Sequence, residues 1–490
     1  MSPSVEPFDE AKYKALMDGL ECSEIRKNYI KTKTYDFRTE SEFFKKEDIA
    51  ILSRLGNLNV ATLEDGLVET VTDGTHYTPT YVDEGIPFLS AINVKENCFN
   101  LKAGYKFISK EEHFQLCKRV HPKQGDILLR KVGVGPRWAC VIPSNAFDFS
   151  FFVSVALIRS KINPYYLATY LNSKYGQLQL LRFNKGISQP DLHLEDIRKT
   201  IVPLFSNSFY GAIEDVVRKA ERSSIESFEK ADGAEECFEQ ILNVKRISAL
   251  NSAISVKRLS EIFKEMGRLD AEFYQPKYDI LFDELKKFSC KRLGGPHGIV
   301  NIKKSIEPGS NAYQDEGVPF VRVSDVSKYE ITPTETFISH NIVKDIEALF
   351  PRKETILFSK DGSVGIAYKL ERDENIVTSG ALLHLTVRNT SEVLPDYLTL
   401  VLNSPVVQMQ AERDSNGAII QHWKPSEIEN VIVPVLDINK QKELSEMVQK
   451  SFALRRKSKQ LLEYAKQAVE IAIEQGEDTA LAWLKERTGE

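Results

Sequence analysis

An internal duplication constrains this chain more than any other feature of its sequence. Six blocks recur in the same order, and the paired positions are separated by 229 to 232 residues. The pairs are Arg38–Phe44 with Arg268–Tyr274, Gly85–Leu89 with Gly317–Val321, Ile127–Gly133 with Ile356–Gly362, Leu171–Ser173 with Leu402–Ser404, Gly186 with Gly417, and Ile201–Leu204 with Ile432–Val435. A period this long exceeds that of a solenoid repeat, so the register indicates two homologous domains.

Each half has the same internal order, which predicts an α/β (α+β) fold. Runs rich in β-branched and aromatic residues, such as 150–158 and 381–387, are typical of strands. Short predicted helices begin at Pro164 and Pro395, because proline is favoured in the first turn of a helix. Each globular segment ends at a Val-Pro pair, and a long predicted helix follows.

The two long helices carry a stripe of apolar and small residues at spacings of three and four. The stripe comprises Phe209, Ile213, Val216, Ala220, Ser224, Ser227 and Ala231 in the first helix, and Leu444, Met447, Ser451, Leu454, Ser458, Leu461, Ala465, Ala468 and Ala472 in the second. This pattern predicts an antiparallel coiled-coil spacer about a pseudo-twofold axis. The alternative is that each helix lies on its own domain. Gly233 is a candidate interruption of the first helix.

These features predict five segments. An N-terminal extension at 1–40 precedes a first globular domain at 41–205 and a central spacer helix at 206–250. A second globular domain at 251–436 and a C-terminal spacer helix at 437–490 follow.

The motifs of several enzyme classes are missing from the sequence. There is no P-loop, HExxH or GxSxG motif, and Asn163–Tyr166 lacks the second proline of an adenine-methyltransferase loop. The six cysteines form no CxxC pair, which argues against a zinc site and fits a reducing compartment. No apolar run is long enough to span a membrane. We therefore expect a cytoplasmic, non-catalytic chain that holds no metal and no cofactor.

A local concentration of positive charge points to nucleic acid. Residues 101–140 contain nine lysines and arginines against three carboxylates, in a chain with net charge −5. Such a patch would neutralise phosphates, although a solvated lysine surface is the alternative. The corresponding stretch 341–380 has six positive and seven negative residues, so the patch is not repeated.

Polar loops in both halves are candidates for contacts with base edges. The loop 73–79 is matched with 307–313, the loop 183–189 with 414–423, and lysines lie beside the glycine pairs Gly133/Gly135 and Gly362/Gly365. Turn chemistry is the alternative for each loop taken singly. The predicted DNA-binding residues are Thr75, His76, Tyr77, Lys102, Lys106, Arg130, Lys131, Arg137, Lys185, Gln189, Asn311, Tyr313, Lys360, Ser363, Asn416, Gln421 and His422.

With these blocks in place, the sequence resembles the specificity (S) subunit of type I restriction–modification enzymes. The resemblance is carried by 73–79, 84–88, 125–133, Gly186 and 201–203 in the first half, and by 317–320, 360–365, Gly417, Ile428 and 432–434 in the second. The family's usual glutamate-glutamine opening of the long helices is replaced by Asn207–Tyr210 and Asn439–Lys442.

The resemblance implies that each globular domain is a target-recognition domain reading one half of a bipartite double-stranded DNA site. It implies that the helices set the half-site separation and bind two copies of a DNA methyltransferase subunit, which carries S-adenosylmethionine and methylates adenine N6. A restriction/translocase subunit is a further expected partner. The alternatives are a specificity factor of another methylation-based phage-defence system and a two-module protein-interaction scaffold.

Overall fold

The fold is given by a computed structural model, which describes residues 9–21, 24–28, 30, 39, 41–99, 105–144, 146–184, 189–243, 254, 256–260, 268–417 and 420–489. The chain divides into two compact units. The first is formed by Met1–Ser223 with Lys457–Glu490, and the second by Ser224–Arg456.

The described helices include two that are much longer than the rest. They are α1 Glu10–Met17, α2 Lys46–Leu55, α3 Lys110–Cys117, α4 Pro164–Asn172, α5 Lys174–Arg182, α6 Leu194–Arg198, α7 Asn207–Leu242, α8 Pro276–Leu285, α9 Pro395–Asn403, α10 Pro405–Asp414, α11 Pro425–Ile428, α12 Ile438–Gln475 and α13 Glu477–Thr488. The long helices α7 and α12 contain 36 and 38 residues. Proline occupies the first turn of α4 and α9, as the sequence predicted.

The strands are short, and among the described residues each unit contains two four-stranded sheets and one two-stranded sheet, with a further two-stranded sheet in the first unit. The first unit has β1 Val60–Thr62, β2 Val68–Asp73, β3 Tyr81–Val82, β4 Ile86–Leu89, β5 Val94–Lys95, β6 Cys98–Phe99, β7 Lys106–Ile108, β8 Ile127–Arg130, β9 Ala139–Val141, β10 Ser150–Phe151, β11 Val155–Ser160 and β12 Ile201–Pro203. The second has β13 Cys290–Arg292, β14 Val300–Lys304, β15 Tyr313–Gln314, β16 Val318–Val321, β17 Phe337–Ile338, β18 Ile356–Ser359, β19 Ala367–Lys369, β20 Val377–Thr378, β21 Leu382–Val387 and β22 Ile432–Pro434.

The two units share one topology. The order β2-β11-β8-β9 in the first unit corresponds to β14-β21-β18-β19 in the second, and β10-β4-β7-β3 corresponds to β20-β16-β17-β15. The first of these four-stranded sheets has the longer strands and is called the larger sheet, and the second is called the smaller sheet. In the smaller sheet of each unit one pair is parallel, β10 with β4 and β20 with β16. The pair β1-β12 likewise corresponds to β13-β22. The mixed helix-and-sheet class predicted from sequence is confirmed.

The core of each unit lies where the larger sheet packs on its proline-initiated helix. Tyr166 in α4 is fully buried, and its hydroxyl donates to the carbonyl oxygen of Pro203 at 2.7 Å. Tyr397 in α9 makes the same bond to Pro434 at 2.7 Å. A buried hydroxyl needs such a partner, because an unpaired one costs free energy. These bonds tie the Val-Pro strands to their helices.

In each unit the first repeated block contacts an arginine in the last turn of a helix, α5 in the first unit and α10 in the second. Residues Ser41–Phe44 and Ala271–Tyr274 form short 3-10 helices. The guanidinium of Arg182 lies 3.6 Å from the ring centroid of Phe43, and that of Arg413 lies 4.9 Å from the ring of Phe273. Cation–π contacts of this kind explain why the aromatic residues recur in both halves.

Segments of the two long helices pack against one another within each unit. In the first unit Ser458 Oγ donates to the carbonyl of Ala220 at 2.8 Å. In the second unit Ser451 Oγ donates to the carbonyl of Ser227 at 2.8 Å. Small residues allow the backbones to approach this closely. Most of the predicted stripe is buried, namely Phe209, Ile213, Val216, Ala220, Ser227, Ala231, Leu444, Ser451, Ser458, Leu461, Ala465, Ala468 and Ala472.

The suggested interruption at Gly233 is wrong, because α7 is continuous from Asn207 to Leu242. A Cβ placed at Gly233 would meet only the terminal methyl of Met447, at 3.0 Å. The packing of the helical segment therefore compensates the weak helix propensity of glycine.

Candidate nucleic-acid interface

The loop after β2 is positioned by a close approach of two backbones. A Cβ at Gly74 would lie 2.0 Å from the carbonyl oxygen of Phe151, so only glycine fits there. Thr75, which forms a bridge with Phe152, is buried at 7% exposure. The side chains of His76 and Tyr77 are exposed. Of the three residues predicted in this loop, the structure brings two to the surface.

The buried carboxylate of Asp73, at the end of β2, contacts three basic side chains. Asp73 Oδ1 lies 2.9 Å from Arg119 Nη2 and 3.2 Å from His76 Nε2, and Oδ2 lies 3.2 Å from Lys131 Nζ. Burial is the largest single influence and raises the pKa of Asp73, but the hydrogen bonds of Lys131 and Arg119 and the charge of Lys131 together outweigh it. The pKa is lowered overall, so the carboxylate stays ionised.

A cleft of about 350 Å³ opens beside this cluster. It is lined by residues 74–77, 115, 116, 119, 120, 150 and 151. Tyr77 is 54% exposed, and its hydroxyl donates to Glu112 at 3.1 Å. The side chain of Arg119 is 53% exposed. The cleft therefore places an aromatic ring, an imidazole and a guanidinium on one accessible surface.

Two residues that were predicted to bind DNA instead stabilise the loop between β8 and β9. Arg137 is fully buried, and it donates to the carbonyl of Gly133 at 2.6 Å and to Asn184 Oδ1 at 2.7 Å. Burial, and next the charge of Arg130, lower the pKa of Arg137 to about 10. Lys131 is 5% exposed and bound to Asp73. Both charges are directed into the domain, and a structural role accounts for them.

Arg130 also holds this loop. Its guanidinium donates to the carbonyls of Val132 at 3.3 Å and Val134 at 3.0 Å.

Lys106 is exposed, with its ammonium 4.2 Å from the ring centroid of Tyr81, and Gln189 is exposed. Lys102 and Lys185 lie outside the described residues.

The second unit brings five of its seven predicted residues together. His422 Nδ1 lies 2.9 Å from Asp361 Oδ1, and Lys360 forms an ion pair with the same aspartate. The backbones of Asn416 and His422 pair with each other, and the Gly362 N–H donates to the carbonyl of Gln421 at 2.9 Å. Ser363 lies exposed in the same loop as Gly362.

The remaining two predicted residues lie in the smaller sheet of that unit. Asn311 belongs to a short 3-10 helix and is exposed. Tyr313 begins β15, and its ring centroid lies 5.5 Å from that of Phe320.

The sequence match between the loops 73–79 and 307–313 is wrong by three residues. Asp73 pairs with Ala156, the second residue of β11, whereas Lys304 pairs with Leu383, the second residue of β21. Asp73 therefore corresponds to Lys304 and not to Glu307. Register in a sheet is set by strand pairing, which a polar loop without periodicity does not reveal.

Sequence reasoning also missed Arg119, Asp73 and Asp361 as organising residues. In the sequence Arg119 is one of nine basic residues in 101–140, and no local pattern distinguishes it from the others. Its partner Asp73 is 46 residues away, so no local motif signals the pair.

The search of solved structures finds the resemblance noted in the sequence. The chain is similar to the type I restriction–modification S subunit from M. genitalium, at TM-score 0.35 and 15% identity over 87% of this chain and 96% of that chain. It is similar to the HsdS subunit from Thermoanaerobacter tengcongensis, at TM-score 0.26 and 15% identity over 85% and 97%. A structure describing complex assembly of the type I restriction–modification system gives TM-score 0.27 and 16% identity over 86% and 98%.

Superpositions with TM-scores this low carry no argument about function. No family model matches the chain. No curated protein matches it either.

Across the described ranges, no helix has the length and apolar character needed to cross a membrane. Within those same ranges, no group of three or more His, Cys, Asp or Glu side chains is arranged to hold a metal ion.

Proposed function

We propose that this chain is a sequence-specific DNA-binding subunit that directs a separate adenine-N6 DNA methyltransferase. Each unit would read one half of a bipartite double-stranded target. The observation that carries the proposal is the shared topology of the units, each of which carries a polar cluster at its larger sheet: Asp73 is the last residue of β2, and Asp361 lies just after β18. Duplicated readers on one chain suit a target in two parts.

Asp73 is the last residue of β2, whereas Asp361 lies after β18, and these two strands are not equivalent, so the two clusters are built differently on one scaffold. Loops on a rigid sheet vary without disturbing the core. The first cluster presents His76, Tyr77 and Arg119, and the second presents Asn416, Gln421 and His422 at its surface. Different side chains at the surface of one fold favour two different half-sites.

The packing between segments of α7 and α12 supports a helical spacer, which we propose to be an antiparallel coiled coil. The proposed partners are two copies of a methyltransferase subunit, together with a restriction/translocase subunit in a nuclease-competent complex. The methyltransferase would bind S-adenosylmethionine and carry out the chemistry, leaving this chain without a catalytic role.

A salt titration of DNA binding separates this function from a protein-interaction scaffold. For a DNA reader that neutralises several phosphates, the logarithm of the affinity falls linearly with the logarithm of the salt concentration, by about 0.9 for each phosphate contacted. We expect a steep slope for the full chain on duplex DNA. Binding that is absent, or that does not change with salt, would favour the scaffold.

Exchange of one recognition domain tests the bipartite arrangement. Residues 41–205 are replaced by the corresponding segment of a related chain, and methylated sites are sequenced with the partner methyltransferase present. Only one half of the split motif should change. The reciprocal exchange of 251–436 is the matched control and should change only the other half. If either exchange altered both halves, each unit would not be reading its own half-site.

A further inference from the structure

Arg119 is held in one orientation although its side chain is more than half exposed. Nη1 donates to the carbonyl of Gly74 at 2.8 Å, and Nη2 donates to Asp73 Oδ1 at 2.9 Å. Asp73 is itself buried at 3% exposure and also bound to Lys131, so the acceptor cannot follow a moving guanidinium. Because the side chain of Arg119 is more than half exposed, its ion pair adds little to stability beyond helping to keep Asp73 ionised, and the fixed guanidinium stays accessible at the surface.

The two hydrogen bonds to Gly74 and Asp73 leave other N–H groups of the Arg119 guanidinium available for binding. Five N–H groups are present on an arginine, and two of them are used here. The three that remain, on Nε, Nη1 and Nη2, have no partner among the described residues. Arg119 lines the cleft together with His76 and Tyr77. A preorganised planar fork loses little conformational entropy when it binds a second acceptor pair.

We propose that Arg119 reads the O6 and N7 edge of a guanine in the major groove of the half-site bound by the first unit. This inference rests on the proposed function. Guanine presents two adjacent acceptors in that groove, and arginine binds them through two parallel N–H donors. The carboxylate of Asp73 fixes the plane of the fork and so selects which base edge it can meet.

A phosphate contact is the competing role for the same residue. Phosphate oxygens are available at every position of a duplex, so a residue that binds them needs no fixed plane. Lys110, Lys118 and Lys123 are exposed near Arg119 in the chain and have flexible stems suited to that role. The two roles differ in the sequence information they carry, and that difference can be measured.

The test uses the full chain with its partner methyltransferase on a random-sequence duplex library, and methylated sites are sequenced. Arg119→Lys keeps the charge and removes the fork, and Arg119→Ala removes both. We expect either variant to relax the preference for guanine at one position of one half-site by roughly 5- to 150-fold. Lys118→Ala is the matched control, which should weaken binding for all sequences and leave the motif unchanged.

The half-site read by the second unit is an internal control and should stay the same in every variant. A melting curve of each variant checks the fold, which the half-exposed position of Arg119 should preserve. If both Arg119 variants kept the wild-type motif, or lost affinity equally for all sequences, base reading by Arg119 would be refuted while the proposed function stood. If the unaltered chain directed methylation to no motif, the proposed function would fail, and this inference with it.

Discussion

The substitution Asp73→Asn tests whether the buried carboxylate organises the first unit. The side chain of Asp73 is 4% exposed, and that of Lys131 is 6% exposed. Asparagine has nearly the same shape but leaves the Lys131 ammonium buried without its nearest anion. Asp191 Oδ1 remains 3.7 Å from that ammonium. Among the described side chains, the buried ammonium would then keep only Asp191, whose side chain is 39% exposed, as an anionic partner.

The expected loss follows from the burial of these groups. Removing one member of a buried ion pair costs about 3–5 kcal/mol. The residual attraction of Asp191 puts the loss near the lower limit, about 3 kcal/mol. The half-exposed Arg119 adds less than about 1 kcal/mol. For a domain of this size each kcal/mol shifts the melting temperature by about 2–4 °C, so we expect a fall of roughly 6–12 °C.

Hydrogen exchange on the full chain measures this loss for the first unit separately, because protected peptides are assigned to their own unit. Asp83→Asn is the matched control, since Asp83 is exposed, and its effect should stay within about 0.5 kcal/mol. The double variant Asp73→Asn with Lys131→Met removes the uncompensated charge and should recover part of the stability. Equal protection in the Asp73 and Asp83 variants would refute the reasoning.

The same pair predicts a dependence on pH. The pKa of Asp73 is lowered in the folded chain. Its stabilising contribution is therefore fully present above the unfolded-state pKa of about 3.9 and is lost as the pH falls through the lower folded-state pKa. The difference in stability between the wild type and Asp73→Asn should shrink below about pH 4. A difference that stayed constant down to acid unfolding would contradict the assignment.

Three further changes have clear expected outcomes. Gly74→Ala places a Cβ 2.0 Å from the carbonyl oxygen of Phe151, so denaturant unfolding should show a loss of about 3 kcal/mol in the first unit. Gly233→Ala meets only the flexible methyl of Met447 and should raise stability by about 0.5–1 kcal/mol in thermal melting. Burial, and next the charge of Lys303, lower the pKa of His384 to about 4. As the pH falls from about 6.5 towards 4, the histidine therefore takes up a proton in the unfolded chain before it does so in the folded chain. The second unit should lose stability over this range. Urea unfolding of His384→Gln at several pH values should lack this slope of roughly 1.4 kcal/mol per pH unit.

The repeated features of this protein could be predicted from sequence because each rests on a local pattern. The prolines before α4 and α9 mark helix starts by their own backbone chemistry. The stripe on α7 and α12 follows from helical periodicity, and most of its members are buried. The duplication then indicated that the two units share a topology. None of these conclusions needs a contact between distant residues.

The roles of individual charges were decided only by the tertiary structure. Lys131, Arg137 and Arg119 look alike in a basic stretch, yet the first two are buried and the third is more than half exposed. The difference arises from their hydrogen-bond partners, which are Asp73 for Arg119 and Asn184 for Arg137. Both partners are more than 40 residues away in the chain. A charge takes its role from its acceptors and from its access to water, and strand register sets both.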